Sequence, residues 1–311
     1  MTMPEEINRR FASISAAIHF APTEQAVLNL YYEGIDPKRI HLTGNTIVDA
    51  TLEHASLAVK KSKIFEKIKF SKKRDLLVIT THRPANVDVK ENLQQICNAL
   101  IELKEFTIVF PVHTRTMKRL EEFNLKSNLI KTSHINLLEP LGYLDFLNLM
   151  QKASFILTDS GGLQEEAITL KKPCITLRTN TERPETVKLG VNYLVGTDYT
   201  KIITTIRSLA QSKNIQEKFE QMKNPYGDGK ASDKIINLII EKLTQDNLKF
   251  TPPNIQKGSL EYQLIKTSRE ITVKKFEKEN NVVITLVYDE KGLPQIIPQR
   301  IPKGWFMRIQ K

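Results

Sequence analysis

Cysteine is nearly absent from this chain. Its 311 residues hold only Cys97 and Cys174, 77 positions apart, with no CxxC pair and no metal-ligand spacing. That excludes a disulfide framework and a zinc module, and predicts two buried, reduced thiols in a cytoplasmic protein. No apolar run approaches the roughly 18 residues of a membrane-crossing helix, and Met1–Arg10 lacks a signal-peptide pattern. No internal repeat or low-complexity stretch is visible. Acidic residues are the scarcer charge, 35 against 46 basic ones, for a net charge of +11. Such a balance suits nucleic acid or an acidic small ligand. The densest basic run is Lys60, Lys61, Lys63, Lys67, Lys69, Lys72 and Lys73, with only Phe65, Phe70, Ile64 and Ile68 among them. It reads as a solvated surface segment and not as a nucleic-acid patch.

What is present is alternation. With 40% hydrophobic residues the chain can fill two ordinary domains. Helices are expected over Glu5–Ala17, Glu24–Glu33 (capped by Thr23, stopped by Gly34), from Asn45 into the lysine-rich run, and over Glu91–Leu103, Thr114–Phe123, Leu144–Gln151 and Leu163–Leu170. Further helices are expected near Lys201–Ala210, Gln216–Met222 and Ala231–Leu243. Between them lie short apolar runs that read as strands, Ala17–Phe20, His41–Thr43, Asp75–Thr80, Phe106–Val112, Ile135–Leu138, Ala153–Thr158, Cys174–Arg178 and Tyr193–Val195. Strands alternating with helices predict a doubly wound parallel sheet with helices on both faces.

The most informative stretch is Leu157–Val187, LTDSGGLQEEAITLKKPCITLRTNTERPETV. A strand that ends in Ser160-Gly161-Gly162 and feeds a helix presents free backbone N–H groups and the positive end of a helix dipole. Both suit a phosphate. The glycines let a diphosphate approach with no Cβ in the way, and Arg183 in the following polar loop offers a two-pronged counter-charge. The plainer alternative is a surface turn with an exposed arginine.

TDSGGLQEEA followed by RTNTERPETV resembles the non-hydrolysing UDP-N-acetylglucosamine 2-epimerases. Further blocks carry the resemblance from Pro4 to about Lys242: PEEINRR (4–10), HFAPTEQAVLNL (19–30), HLTGNTIVDA (41–50), THRPANVD (81–88), PVHTRTMKRL (111–120), EPLGYLDFLNLM (139–150) and NPYGDGKASDKI (224–235). The resemblance implies a two-domain, glycosyltransferase-B-type pair of Rossmann-like halves that uses neither metal nor cofactor. It also implies conversion of UDP-GlcNAc to UDP-ManNAc, for surface polysaccharide, by eliminating UDP and adding it back to the other face of the sugar. By the same resemblance Glu5 is a carboxylate for acid–base work. Arg9, one helical turn on, holds substrate or orients Glu5. His82 contacts the diphosphate or shuttles a proton, with Arg83 beside it. His113 matches a residue that some bacterial members use, together with those matching Arg83 and Glu5, in a second, activating UDP-sugar site. Leu141 and Phe146 line the uracil pocket, Glu166 accepts the ribose hydroxyls, and Ser160, Gly161, Gly162 and Arg183 take the diphosphate. Read without the resemblance, Glu5 is a first-turn carboxylate, His82 a structural strand-end histidine and Phe146 a core residue.

Two departures stand out. The family continues His-Arg-x-Glu-Asn where this chain has Pro84-Ala85-Asn86, so a carboxylate is lost from the loop and its geometry is in question. The PEEINR block begins at Pro4, which leaves most of the family's first half without a counterpart and suggests a truncated or split gene. Residues 1–46 are then a remnant of the first domain, 47–228 the UDP-binding domain, and 229–250 a helix packing back toward the first. A homodimer or a separate N-terminal half is the expected partner besides UDP-GlcNAc and UDP. A catalytically incomplete UDP-sugar-binding subunit and a nucleotide-sugar glycosyltransferase of the same architecture are the alternatives. Residues 251–311 hold 11 Lys or Arg against 6 Asp or Glu. They open on a Thr251-Pro252-Pro253 linker and continue as a β-hairpin of Asn281–Tyr288 and Leu293–Ile297, with Pro294 and Pro298 favouring an edge. They close on the aromatic–basic KGWFMRIQK. A small interaction module is expected there.

Overall fold

The computed structural model describes residues 4–69, 74–212, 214–245 and 262–310. They form two compact units, one of residues 1–45 with 230–311, the other of residues 46–229. The first unit opens with helix α1 (Pro4–Ser15), strand β1 (His19–Ala21), helix α2 (Glu24–Tyr32) and strand β2 (Ile40–Leu42), β1 and β2 pairing in parallel. Thr23 caps α2, its hydroxyl accepting from the N–H of Ala26, and the chain leaves through Gly34 at φ +80°.

The second unit begins with α3 (Thr46–Lys61) and α4 (Ile64–Lys67), then alternates: β3 (Leu76–Thr80), α5 (Pro84–Val87), α6 (Lys90–Glu102), β4 (Thr107–Pro111), α7 (Thr114–Glu122), α8 (Lys126–Lys131), β5 (Ile135–Leu138), α9 (Tyr143–Lys152), β6 (Phe155–Thr158), α10 (Gly161–Thr169), β7 (Cys174–Thr176), α11 (Pro184–Lys188), β8 (Asn192–Leu194), α12 (Tyr199–Gln211) and α13 (Ile215–Gln221). Its six strands are all parallel, in the order β5-β4-β3-β6-β7-β8. Leu77, Ile79, Ile108 and Phe110 face one hydrophobic layer, and Leu76, Val78, Val109 and Ile156 the other. Burial on both faces is why β3 reads as an unbroken apolar run, LLVIT. The chain builds outward from β3 to β5, then returns to lay β6 on the other side of β3. The carboxyl ends of β3 and β6 are therefore the crevice where doubly wound sheets bind ligands.

Two expectations need correction here. The lysine-rich run is not wholly a solvated segment. Ile64 is fully buried and Ile68 nearly so, because α4 turns its apolar side under the sheet while Lys60, Lys61, Lys63, Lys67 and Lys69 stay outside. The helix expected at Leu163 starts at Gly161, so the two glycines are its first turn and Ser160 its N-cap. At the far end, the aromatic–basic segment is folded into a sheet. After α14 (Ala231–Thr244) of the first unit come β9 (Tyr262–Lys266), β10 (Ile271–Thr272), α15 (Val273–Asn280), β11 (Val283–Tyr288), β12 (Pro294–Gln295), β13 (Arg300–Ile301) and β14 (Phe306–Gln310). The expected hairpin is β11 with β12, and Pro294 does sit on an edge, in an antiparallel sheet ordered β12-β11-β14-β9. Phe306–Gln310 is an inner strand of that sheet, and Trp305 packs with Val287, Ile301 and Met307. The Thr251-Pro252-Pro253 linker lies outside the described residues.

Candidate active site

Where β3 and β6 run side by side, Thr80 is registered against Thr158 and their hydroxyls meet at 2.9 Å. The next residue of the β6 strand end, Asp159, has no solvent exposure. Its Oδ2 accepts from the Thr81 hydroxyl at 2.7 Å, from the backbone N–H groups of Arg83 and His82 at 2.9 and 3.0 Å, and from the Asn86 amide at 3.1 Å. Its Oδ1 lies 3.1 Å from His82 Nδ1. Arg83 Nε donates to the Asp159 carbonyl at 2.9 Å. Burial alone would raise the Asp159 carboxyl. The His82 imidazole, the Thr81 hydroxyl and the N–H groups of Arg83 and His82 outweigh that and hold it below its usual value. One buried carboxylate thus ties the whole His82–Asn86 loop to the strand beside it.

That also answers the Ala85 departure. Ala85 is exposed and contributes only its carbonyl, which accepts from Asn92. Asn86 bridges Asp159 and the Leu177 carbonyl at 2.9 Å, so the loop is anchored without the missing glutamate. His113 caps α7, its Nδ1 accepting from the N–H of Arg115 at 3.2 Å, and its ring stacks tilted on His82 with centroids 5.5 Å apart.

Two residues beyond Asp159, α10 begins, with its amino end at the same strand ends. The Ser160 side chain makes no capping bond, so the first N–H groups of the helix keep no side-chain partner from their N-cap. A Cβ built on Gly161 would meet nothing within 4 Å, and one on Gly162 only the Ile47 side chain at 3.8 Å. Gln164, fully buried, stitches this end to the next loop. Its amide donates to the Ser160 carbonyl, and its Oε1 accepts from the Thr181 hydroxyl at 2.7 Å and from Asn192 at 2.8 Å. In that loop Arg178 grips Glu182 with two bonds of 2.6 and 2.7 Å, which hold the Glu182 carboxyl down at about 2.

Arg183 departs from expectation. Its Nε forms an ion pair with the nearly buried Glu165, without the alignment of a hydrogen bond, and its Nη1 donates to the Glu182 carbonyl. The first glutamate of the QEE run thus captures the guanidinium expected to serve a diphosphate directly, because Glu165 faces the loop that Gln164 pins. Glu166 is buried one residue on. Burial raises its carboxyl, the Tyr143 hydroxyl donating to it works the other way, and the nearby Glu165 charge adds to the rise. Leu141 and Phe146 are half-buried against the apolar layer that contains Leu149 and Met150, so a core role for Phe146 stands beside any role at the rim.

Glu5 and Arg9 lie on α1, in the first unit, and the other ten expected residues lie in the second. Glu5 is exposed. Arg9 does not orient it. The guanidinium bonds Glu6 at 2.8 Å, one turn back on its own face, and Glu33 of α2 at 3.0 Å. Among the described residues no cluster of three or more His, Cys, Asp or Glu is placed to hold a metal ion, and no helix is long and apolar enough to cross a membrane.

Sequence reasoning passed over Asp159, Asn86, Gln164, Glu165 and Tyr143. Asp159 carried a usable signal, an acid directly after a fully apolar strand, where it is buried at a sheet end and must find donors. The partnership of Glu165 with Arg183 had none.

A family model described as UDP-N-acetylglucosamine 2-epimerase matches residues 1–240. The UDP-N-acetylglucosamine 2-epimerase of Methanocaldococcus jannaschii is 45% identical over 243 residues, 76% of this chain and 64% of that protein. The enzyme of the same name from Campylobacter jejuni is 38% identical over 258 residues, 79% of this chain and 66% of that protein. The crystal structure of the M. jannaschii enzyme in complex with UDP-GlcNAc and UDP matches with a TM-score of 0.67, at 45% identity, covering 77% of this chain and 65% of that one. The Neisseria meningitidis enzyme bound to UDP-GlcNAc matches with a TM-score of 0.68, at 35% identity, covering 76% and 65%. The chain spans about 64% of the length of the curated relatives it matches first.

Proposed function

Because the chain belongs to the UDP-N-acetylglucosamine 2-epimerase family, we propose that it binds a UDP-sugar at the β3–β6 crevice and takes part in interconverting UDP-GlcNAc and UDP-ManNAc. The observation that carries this is the amino end of α10, N–H groups without a side-chain cap behind two glycines whose Cβ positions meet no atom closer than 3.8 Å. Such an end neutralises the charge that grows on a departing diphosphate. In this reading Ser160, Gly161 and Gly162 cradle the diphosphate, and Glu166 accepts the ribose hydroxyls. Leu141 and Phe146 border the uracil. His82, Arg83 and His113 face the phosphates or the sugar. Arg183 acts through Glu165, by holding the 178–183 loop against α10. Glu5 is the acid–base carboxylate of this reading, and Arg9 braces α1 through Glu6 and Glu33. The partner is a second copy or a separate polypeptide supplying the rest of the cleft, and the reaction runs in the cytoplasm.

The test begins with calorimetric titration of UDP into the chain, for which saturable binding is expected. Turnover is then followed in deuterated water, where elimination and re-addition place solvent deuterium on the inverted carbon of the sugar. Failure to bind UDP would overturn the reading of the crevice. Inversion without deuterium would overturn the elimination chemistry.

A further inference from the structure

Among the described residues, one densely bonded carboxylate is a group that sequence reasoning gave no role. Asp159 is fully buried, and its two oxygens are not equivalent. Oδ2 carries four donors, from Thr81, His82 N, Arg83 N and Asn86. Oδ1 is left to the His82 ring, with a second, longer contact from the His82 N–H at 3.2 Å. The His82 ring contact is an ion-pair approach of 3.1 Å without the alignment of a full hydrogen bond. An ionised carboxylate only accepts, so of the two neutral tautomers the one with its proton on Nδ1 avoids setting a lone pair against Oδ1. The neighbouring ring is fixed the other way. His113 Nδ1 accepts from the N–H of Arg115, which leaves its proton on Nε2.

We propose that Asp159 is a positioning residue that sets the tautomer of His82, keeping the ring proton on Nδ1 and leaving Nε2 as the bare nitrogen. Two stacked histidines at the crevice then carry opposite tautomers, His113 with Nε2 as a donor and His82 with Nε2 as an acceptor. His82 Nε2 is the only atom of its ring with a lone pair to take a proton. The use of that lone pair on a UDP-sugar rests on the function proposed above. The tautomer itself does not.

The same geometry says what Asp159→Asn would do. The amide oxygen must occupy the Oδ2 position, where four donors converge, because an NH2 there would face them all. The amide nitrogen then falls at the Oδ1 position and points a proton at His82 Nδ1. The ring is forced to the other tautomer while the loop keeps its anchor.

The experiment is nitrogen NMR of the histidine-labelled chain at a pH where the rings are neutral, with His82 assigned by the loss of its signals in His82→Gln. The parent protein should show a protonated Nδ1 and a bare Nε2 at His82, and Asp159→Asn the reverse. A parent His82 protonated on Nε2 would overturn the proposal, and that measurement stands whether or not the variant folds. So would a folded Asp159→Asn that keeps the parent tautomer. UDP titrated into the same samples separates the two claims. A chain with the expected tautomer that ignores UDP keeps Asp159 in this role and removes the proposed ligand.

Discussion

Gly161→Ala isolates the phosphate cradle from everything that holds the fold. Gly161 is the first residue of α10, its φ is not positive, and an added methyl meets nothing within 4 Å. The substitution removes conformational freedom from the unfolded chain without strain in the native one. Folding should therefore be unchanged or firmer by about 0.4–1 kcal/mol. In the proposed complex the same methyl stands where a diphosphate oxygen reaches the helix N–H groups. Losing one such bond to a charged group costs about 1.5–3 kcal/mol, which weakens Kd roughly ten- to a hundredfold. Urea denaturation and UDP calorimetry on parent and variant give the two numbers. A variant that is as stable as the parent and binds UDP as tightly would show that no phosphate approaches Gly161. A variant that is less stable would show that the space is not open.

Arg183→Ala should destabilise the chain by about 2 kcal/mol, below the range for breaking a fully buried pair because Arg183 is about a third exposed. Adding Glu165→Gln should recover most of the loss, and an unchanged urea midpoint in the single variant would mean that the pair holds nothing. Acid should loosen the His82–Asn86 loop. The depressed Asp159 carboxyl contributes stability that is complete above the usual carboxyl range and is lost as the pH falls through its folded-state value, so hydrogen exchange at the His82 and Arg83 amides should accelerate there. Glu166 has the opposite sign. Its raised carboxyl contributes stability at low pH that is lost as the pH climbs through the raised value, while UDP affinity should grow over the same interval as the carboxylate forms. Glu166→Gln should flatten that rise in affinity.

The parallel sheet was legible because strands buried on both faces are apolar throughout and are punctuated by turn residues. DLLVIT and ASFILT needed no tertiary information. Boundaries slipped where a helix begins on residues with poor helix propensity. Gly161 and Gly162 read as a turn and are a first turn, since a buried Gln164 and the strand before it hold them there. The candidate site was legible in the positions of its residues at strand ends and only partly in their pairings. Ser160, the glycines and His82 announce themselves by standing just past strand ends. Which of two adjacent glutamates meets Arg183, and which of Glu5, Glu6 and Glu33 meets Arg9, depends on the faces turned toward a second element. Ile64 and Ile68 were hidden for a related reason, since a four-residue helix is too short to display a periodicity among lysines.

The return of the chain to β3 has a consequence for how the site comes into being. His82 and Asp159 are 77 residues apart, and the excursion between them contains β4, β5 and the helices that cover them. A chain that has built β3, β4 and β5 correctly still lacks any crevice, because the second wall arrives only when β6 docks. Such long-range pairing is slow, since the excursion must close before its contacts reward it. The His82 and Arg83 amides, which have no acceptor in Asp159 until then, should be among the last in the unit to gain protection during refolding. The crevice would be completed only when β6 docks, in one step with the burial of a single carboxylate.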